Sequence, residues 1–143
     1  LALGKLYTSE KKTEDAKAAF QKYMEKHPKD ADALEQLASI AADAGDYADA
    51  ATYYKDAMEA ASGDQVKELQ KALVAVYEKN GDFASALEEA KDYVADYPDD
   101  ETMQKEYEFL QTRVLTGLEN TGTDNTQQAD DTAADTTTEG NGQ

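Results

Sequence analysis

The sequence predicts an all-α chain of antiparallel helical hairpins, stacked one upon the next. Three observations carry that reading. The chain repeats itself at about 34 residues: Gly45-Asp46-Tyr47 recurs as Gly81-Asp82-Phe83, and Ala16, Ala50 and Ala86 fall into register. Within each repeat the apolar residues recur at three and four, the period of one helix face. No stretch alternates polar and apolar residues as a half-buried strand does.

Helices are expected near residues 1–9, 13–26, 30–44, 47–60, 65–79, 83–96 and about 100–118. Leu3, Gly4 and Tyr7 mark the first, and Ala16, Phe20 and Tyr23 the second, which Pro28 brings to a close. Asp30 follows as an N-cap, and Leu34, Leu37, Ile40 and Ala41 form the stripe of the third helix. Gly45 and Gly81 can each end a helix in the left-handed region, leaving Asp46 and Asp82 to cap the next one. Ala50, Tyr54 and Ala57 then match Ala86, Ala90 and Tyr93, as Leu37, Ala38 and Ala41 match Leu73, Val74 and Tyr77. The second step is 36 residues, with the extra two placed at Ser62-Gly63-Asp64, where a longer turn is tolerated. The last helix gathers Met103, Tyr107, Leu110 and Val114 on one stripe and carries Gln104, Glu106, Glu108, Gln111 and Arg113 elsewhere. A polar outer face is what a terminal repeat requires.

Charge excludes several kinds of work. The 143 residues carry 14 Lys and Arg against 31 Asp and Glu, a net charge of −17. Nucleic acid and anionic lipid both need a basic surface, so neither is an expected partner. Residues 119–143 contain six acids, no Lys or Arg and no Leu, Ile, Val, Met or aromatic residue. Such a segment cannot offset its ordering entropy by burial and is expected to be a disordered, acidic, Thr-rich tail. The remaining residues 1–118 keep a charge of −11.

Catalytic chemistry finds few candidates. Cysteine is absent, and the single histidine, His27, can complete neither a zinc site nor a nucleophilic triad. Asp99-Asp100-Glu101 lacks the alternating spacing and glycine of a calcium loop and reads as a helix N-terminus instead. No metal, cofactor or catalytic residue is expected, and the chain is read as a non-enzyme.

Leu3, Gly4, Tyr7, Ala16, Phe20 and Pro28 in the first unit resemble the tetratricopeptide repeat (TPR) family. So do Leu34, Leu37, Ala38, Ala50, Tyr54 and Ala57 in the second, and Leu73, Tyr77, Ala86 and Pro98 in the third. Val74 and Ala90 depart from the family's small and aromatic preferences, and a related helical-hairpin repeat is the alternative. The resemblance implies a TPR-like α-solenoid, a right-handed superhelix of antiparallel hairpins. Its units would span about 1–30, 31–64 and 65–100, with a capping helix at 100–118 and the tail at 119–143.

By the same resemblance, the chain is expected to be a scaffold binding a peptide or protein segment in a concave groove. The first helix of each hairpin would wall that groove with Lys5 and Thr8, then Asp32, Glu35, Gln36, Ser39 and Asp43. Glu68, Lys71, Ala75, Glu78 and Lys79 would follow, and Lys105, Phe109 and Thr112 would close the wall. Some TPR domains grip a chaperone's terminal carboxylate with a cationic clamp. The matching positions here are Leu1, Lys5, Gln36, Glu68 and Ala72, with an acid where a cation is needed, so that ligand is not expected. Overall charge points to a neutral or basic partner segment. The alternative is a spacer or self-association module, its repeats stacking on others upstream of Leu1 or on a second copy as a homodimer. Opening on Leu1 instead of Met suggests a trimmed fragment, so a membrane would be reached only through an anchor outside this chain. Composition leans towards a bacterial, extracytoplasmic setting, with the cytoplasm as the alternative.

Overall fold

The computed structural model describes residues 13–117, and the described part is entirely helical. Its helices are α1 (Thr13–Met24), α2 (Ala31–Ala44), α3 (Tyr47–Ala60), α4 (Asp64–Lys79), α5 (Phe83–Asp96) and α6 (Glu101–Leu115). The expected helix at 1–9, the wall candidates Lys5 and Thr8, and the tail at 119–143 lie outside the described residues. Every other expected helix is present, although α1 stops at Met24 and α6 at Leu115, each short of its expected end.

Local chemistry explains the boundaries. Gly45 and Gly81 have φ of 86° and 75°, and a Cβ at either would meet nothing within 4 Å. The backbone angle alone therefore calls for glycine. At the first turn the Asp46 N–H donates to the Ala41 carbonyl at 2.9 Å and the Gly45 N–H to Ala42 at 3.1 Å. At the second, Asp82 donates to Tyr77 and Gly81 to Glu78, both at 2.9 Å, so both helices end in the same Schellman arrangement. Asp82 then caps α5 by accepting from the Ser85 N–H at 3.1 Å. Asp46 departs from expectation, since its side chain makes no capping bond to α3. The residue three positions on is Asp49, where the matching position after Asp82 is Ser85.

The turns from α1 to α2 and from α5 to α6 share one device, 70 residues apart. Asp30 caps α2 with one oxygen (Ala33 N–H, 3.1 Å) while the other accepts from the Tyr23 hydroxyl at 2.7 Å. Asp100 caps α6 with one oxygen (Met103 N–H, 3.2 Å) while the other accepts from Tyr93, again at 2.7 Å. Each carboxylate thus fastens the end of one helix to the start of the next. The middle turn has Ala57 in place of the tyrosine and Gly63 at the cap, without a side-chain capping bond.

The core runs along the stack as three clusters. Ala16 and Phe20 of α1 pack with Ala33, Leu37 and Ile40 of α2. The middle cluster joins Leu34, Ala38, Ala50, Tyr54, Ala57, Leu69 and Leu73, and the last joins Val74, Phe83, Ala86, Ala90, Tyr93, Met103 and Leu110. Ala16, Ala50 and Ala86, aligned by the repeat, are each 0% exposed. With no room around them, a larger side chain must displace a helix. Ala50→Leu is expected to destabilise the protein by ~1–3 kcal/mol. Thermal or urea unfolding checks this, and an unchanged midpoint would contradict the repeat register.

Candidate functional site

Polar bonds between non-consecutive helices set the first helices of successive hairpins side by side. Gln65 Nε2 of α4 donates to Asp32 Oδ1 of α2 at 2.8 Å. Lys71 Nζ of α4 lies 3.2 Å from Asp100 Oδ2, at the cap of α6. Near the other end of α4, the charge of Glu106 on α6 acts on Glu78. Helices α2, α4 and α6 therefore form a row, while α3 and α5 carry the shared core between them.

Exposure sorts the expected wall residues. Asp32, Asp43, Glu68, Ala75, Lys79, Lys105 and Thr112 are exposed, and Glu35, Gln36, Ser39, Lys71 and Glu78 are half-buried. Phe109 keeps 49% of its surface exposed, while the other phenylalanines and tyrosines among the described residues are buried or half-buried. The row links Asp32 to α4 through Gln65, and Lys71 to the cap of α6 through Asp100.

Lys71 is already engaged. Beyond Asp100 it meets Glu68 Oε1 at 3.5 Å, and it stands 5.7 Å from the Tyr93 ring centroid. The Asp100 contact holds its ammonium above the usual lysine range. Three donors converge on Asp100 in turn: the Tyr93 hydroxyl first, then the Met103 N–H and Lys71, lowering its carboxyl to about 2. Burial, reinforced by the bond to Asp100, pushes the Tyr93 phenol up to about 12. With Lys71 matched by carboxylates, the acids of α2 (Asp32, Glu35 and Asp43) dominate the charge of that end of the row.

Three contributors escaped the sequence reading: Gln65, Glu106 and Arg113. Glu106 and Arg113 had been assigned to the polar outer face of the capping helix, yet both are half-buried. Repeat register held the signal for them, because Glu106 stands 34 residues after Ala72 and Arg113 34 after Lys79. Burial first, then the neighbouring charge of Glu106, push the Glu78 carboxyl up to about 7, with Arg113 opposing. The Arg113 guanidinium lies 4.0 Å from the Phe83 ring centroid and 5.8 Å from that of Phe109. Among the described residues, no group of three His, Asp or Glu side chains is placed to hold a metal ion. The arrangement offers reversible, non-covalent contact along a charged row.

The lowered carboxyl of Asp100 has a pH signature. A group whose folded value lies below its unfolded value near 3.8 contributes stability above that pH and loses it as pH falls towards about 2. Asp100→Asn is expected to lower stability at pH ~5 and to converge with the parent protein near pH ~2. Urea unfolding across this range checks both the size and the direction of the change.

Two family models, each described as tetratricopeptide repeat, match residues 1–65 and residues 67–107. No curated protein matches the chain. The matched segments carry the Gly-Asp turns, the buried alanines and the first half of α6, and repeats of this kind generally mediate protein–protein contact. The chain belongs to the tetratricopeptide repeat family.

Proposed function

We propose that this chain is a non-enzymatic scaffold that takes a peptide or protein segment along a concave groove walled by α2, α4 and α6. The observation that carries the reading is the division of labour within these helices. Leu34, Leu37, Leu69, Leu73 and Leu110 point into the core, leaving Asp32, Glu35, Asp43, Glu68, Ala75, Lys79, Lys105 and Phe109 free of core packing. Side chains with no part in holding the fold are available to a partner.

Charge specifies the partner further. Glu68 and Lys71 offset one another, while α2 presents Asp32, Glu35 and Asp43. A neutral or basic segment fits this wall, and nucleic acid does not. Gln36, Ser39 and Ala75 supply small or polar contacts between the charges, and exposed Phe109 offers an apolar anchor at the α6 end. We assign residues 1–118 to the interacting body, with Lys5 as the wall residue contributed ahead of the described helices.

The full chain serves as bait in a capture from lysate of its source, beside a Glu35→Lys/Glu68→Lys double variant. Proteins held by the parent and lost by the variant are expected, with binding that weakens as salt rises from about 0.05 to about 0.5 M. Equal capture by both baits would move binding off this wall. Capture of nothing but further copies of the chain would replace the groove reading with self-stacking.

A further inference from the structure

We propose that Asn80 is a site of slow self-modification: its side-chain amide is lost to the Gly81 nitrogen when the turn between α4 and α5 opens, and the product loosens that hairpin. Asn80 caps the end of α4, precedes Gly81 and is exposed. Its backbone is right-handed (φ −76°, ψ −8°), so the turn asks nothing of its side chain. The matching turn from α2 to α3 has Ala44 before Gly45 and closes with the same pair of backbone bonds. The amide is therefore dispensable for the fold. Glycine, with no side chain, is also the neighbour that obstructs its reaction least.

The step balances with water as the one added reagent. The Gly81 nitrogen bonds to Asn80 Cγ and gives up its proton, while the Cγ–Nδ2 bond breaks and ammonia leaves, closing a five-membered imide. Water then opens the ring at either carbonyl, and nothing is oxidised or reduced. One product is an ordinary aspartate. The other carries the backbone through the side-chain carbonyl as an isoaspartyl link.

The native turn holds this reaction back. Ring closure needs Cβ, Cα, the carbonyl carbon and the attacking nitrogen near one plane, and a ψ of −8° turns that nitrogen well out of it. The Gly81 N–H is also committed to the Glu78 carbonyl and the Asp82 N–H to that of Tyr77, both at 2.9 Å. These bonds must break before the nitrogen can swing round, so conversion follows the open fraction of the turn. Once formed, the products oppose closure. Aspartate places a charge at the negative end of the α4 dipole, between Glu78 and Asp82. The isoaspartyl link adds a carbon to the backbone, so the two bonds that end α4 no longer fit together.

This chemistry needs no partner and stands apart from the groove reading. The full chain is incubated in warm, mildly alkaline buffer with and without urea. Peptide mapping by mass spectrometry follows Asn80 separately from Asn141, which also precedes a glycine. Conversion at Asn80 is expected in both buffers, ~tenfold or more slower in the native protein. Asp82→Ala removes the carboxylate that accepts from the Ser85 N–H at 3.1 Å, and should raise the native rate relative to the rate in urea. Converted chains, separated by their added charge, should exchange the amides of the α4–α5 turn severalfold faster than fresh protein. Asn80→Ala, which copies the α2–α3 turn, should fold and show no such change on ageing. An Asn80 amide that survives in either buffer would overturn the proposal. So would equal rates in the two buffers, or converted protein whose turn exchanges like the fresh one.

Discussion

Close approach of helices at the alanine positions is the constraint on which this architecture depends. Ala16, Ala50 and Ala86 expose none of their surface, and each sits on the second helix of its hairpin. A methyl group there lets two helices cross near the lower end of the usual ~8–10 Å separation. Phe20 and Tyr93, both 0% exposed, then fill the space beside the crossings. Because each hairpin rests mainly on its neighbours, stability accumulates along the stack instead of around one centre. The three clusters are the local form of that rule.

The same parts that hold the stack also shape its candidate binding face. Asp100 caps α6, accepts the Tyr93 hydroxyl and pairs with Lys71, so one carboxylate serves a helix end, an inter-helix tie and the charge of the wall. Asp30 repeats the first two of these roles at the other end of the described helices. A wall lysine engaged in this way is taken up by Asp100 and Glu68, and so is not available to offset Asp32, Glu35 and Asp43 of α2.

Much of the fold was legible because it is written in short-range rules. Gly45, Gly81 and Pro98 punctuate the chain within two residues of where its helices end, Pro28 follows the end of α1 by four, and the three-and-four spacing of Leu34, Leu37 and Ala41 needs no distant partner to be read. The candidate site was legible in outline only. Register assigns residues to the row of first helices, but not the state of their charges. Glu106 was overlooked although it stands in register with Gln36 and Ala72, because an acid on a terminal helix reads as a solvated one.

By itself, then, the sequence determined the helices, their order, the hairpin repeat and the identity of the buried small residues, since each depends on backbone angles and periodicity within a few turns of chain. Tertiary structure alone decided which charges meet. Gln65 reaches Asp32 across 33 residues and Lys71 reaches Asp100 across 29. Side-chain electrostatics varies with distances of a few ångströms and with the water left between groups, and those are set only once the hairpins have stacked.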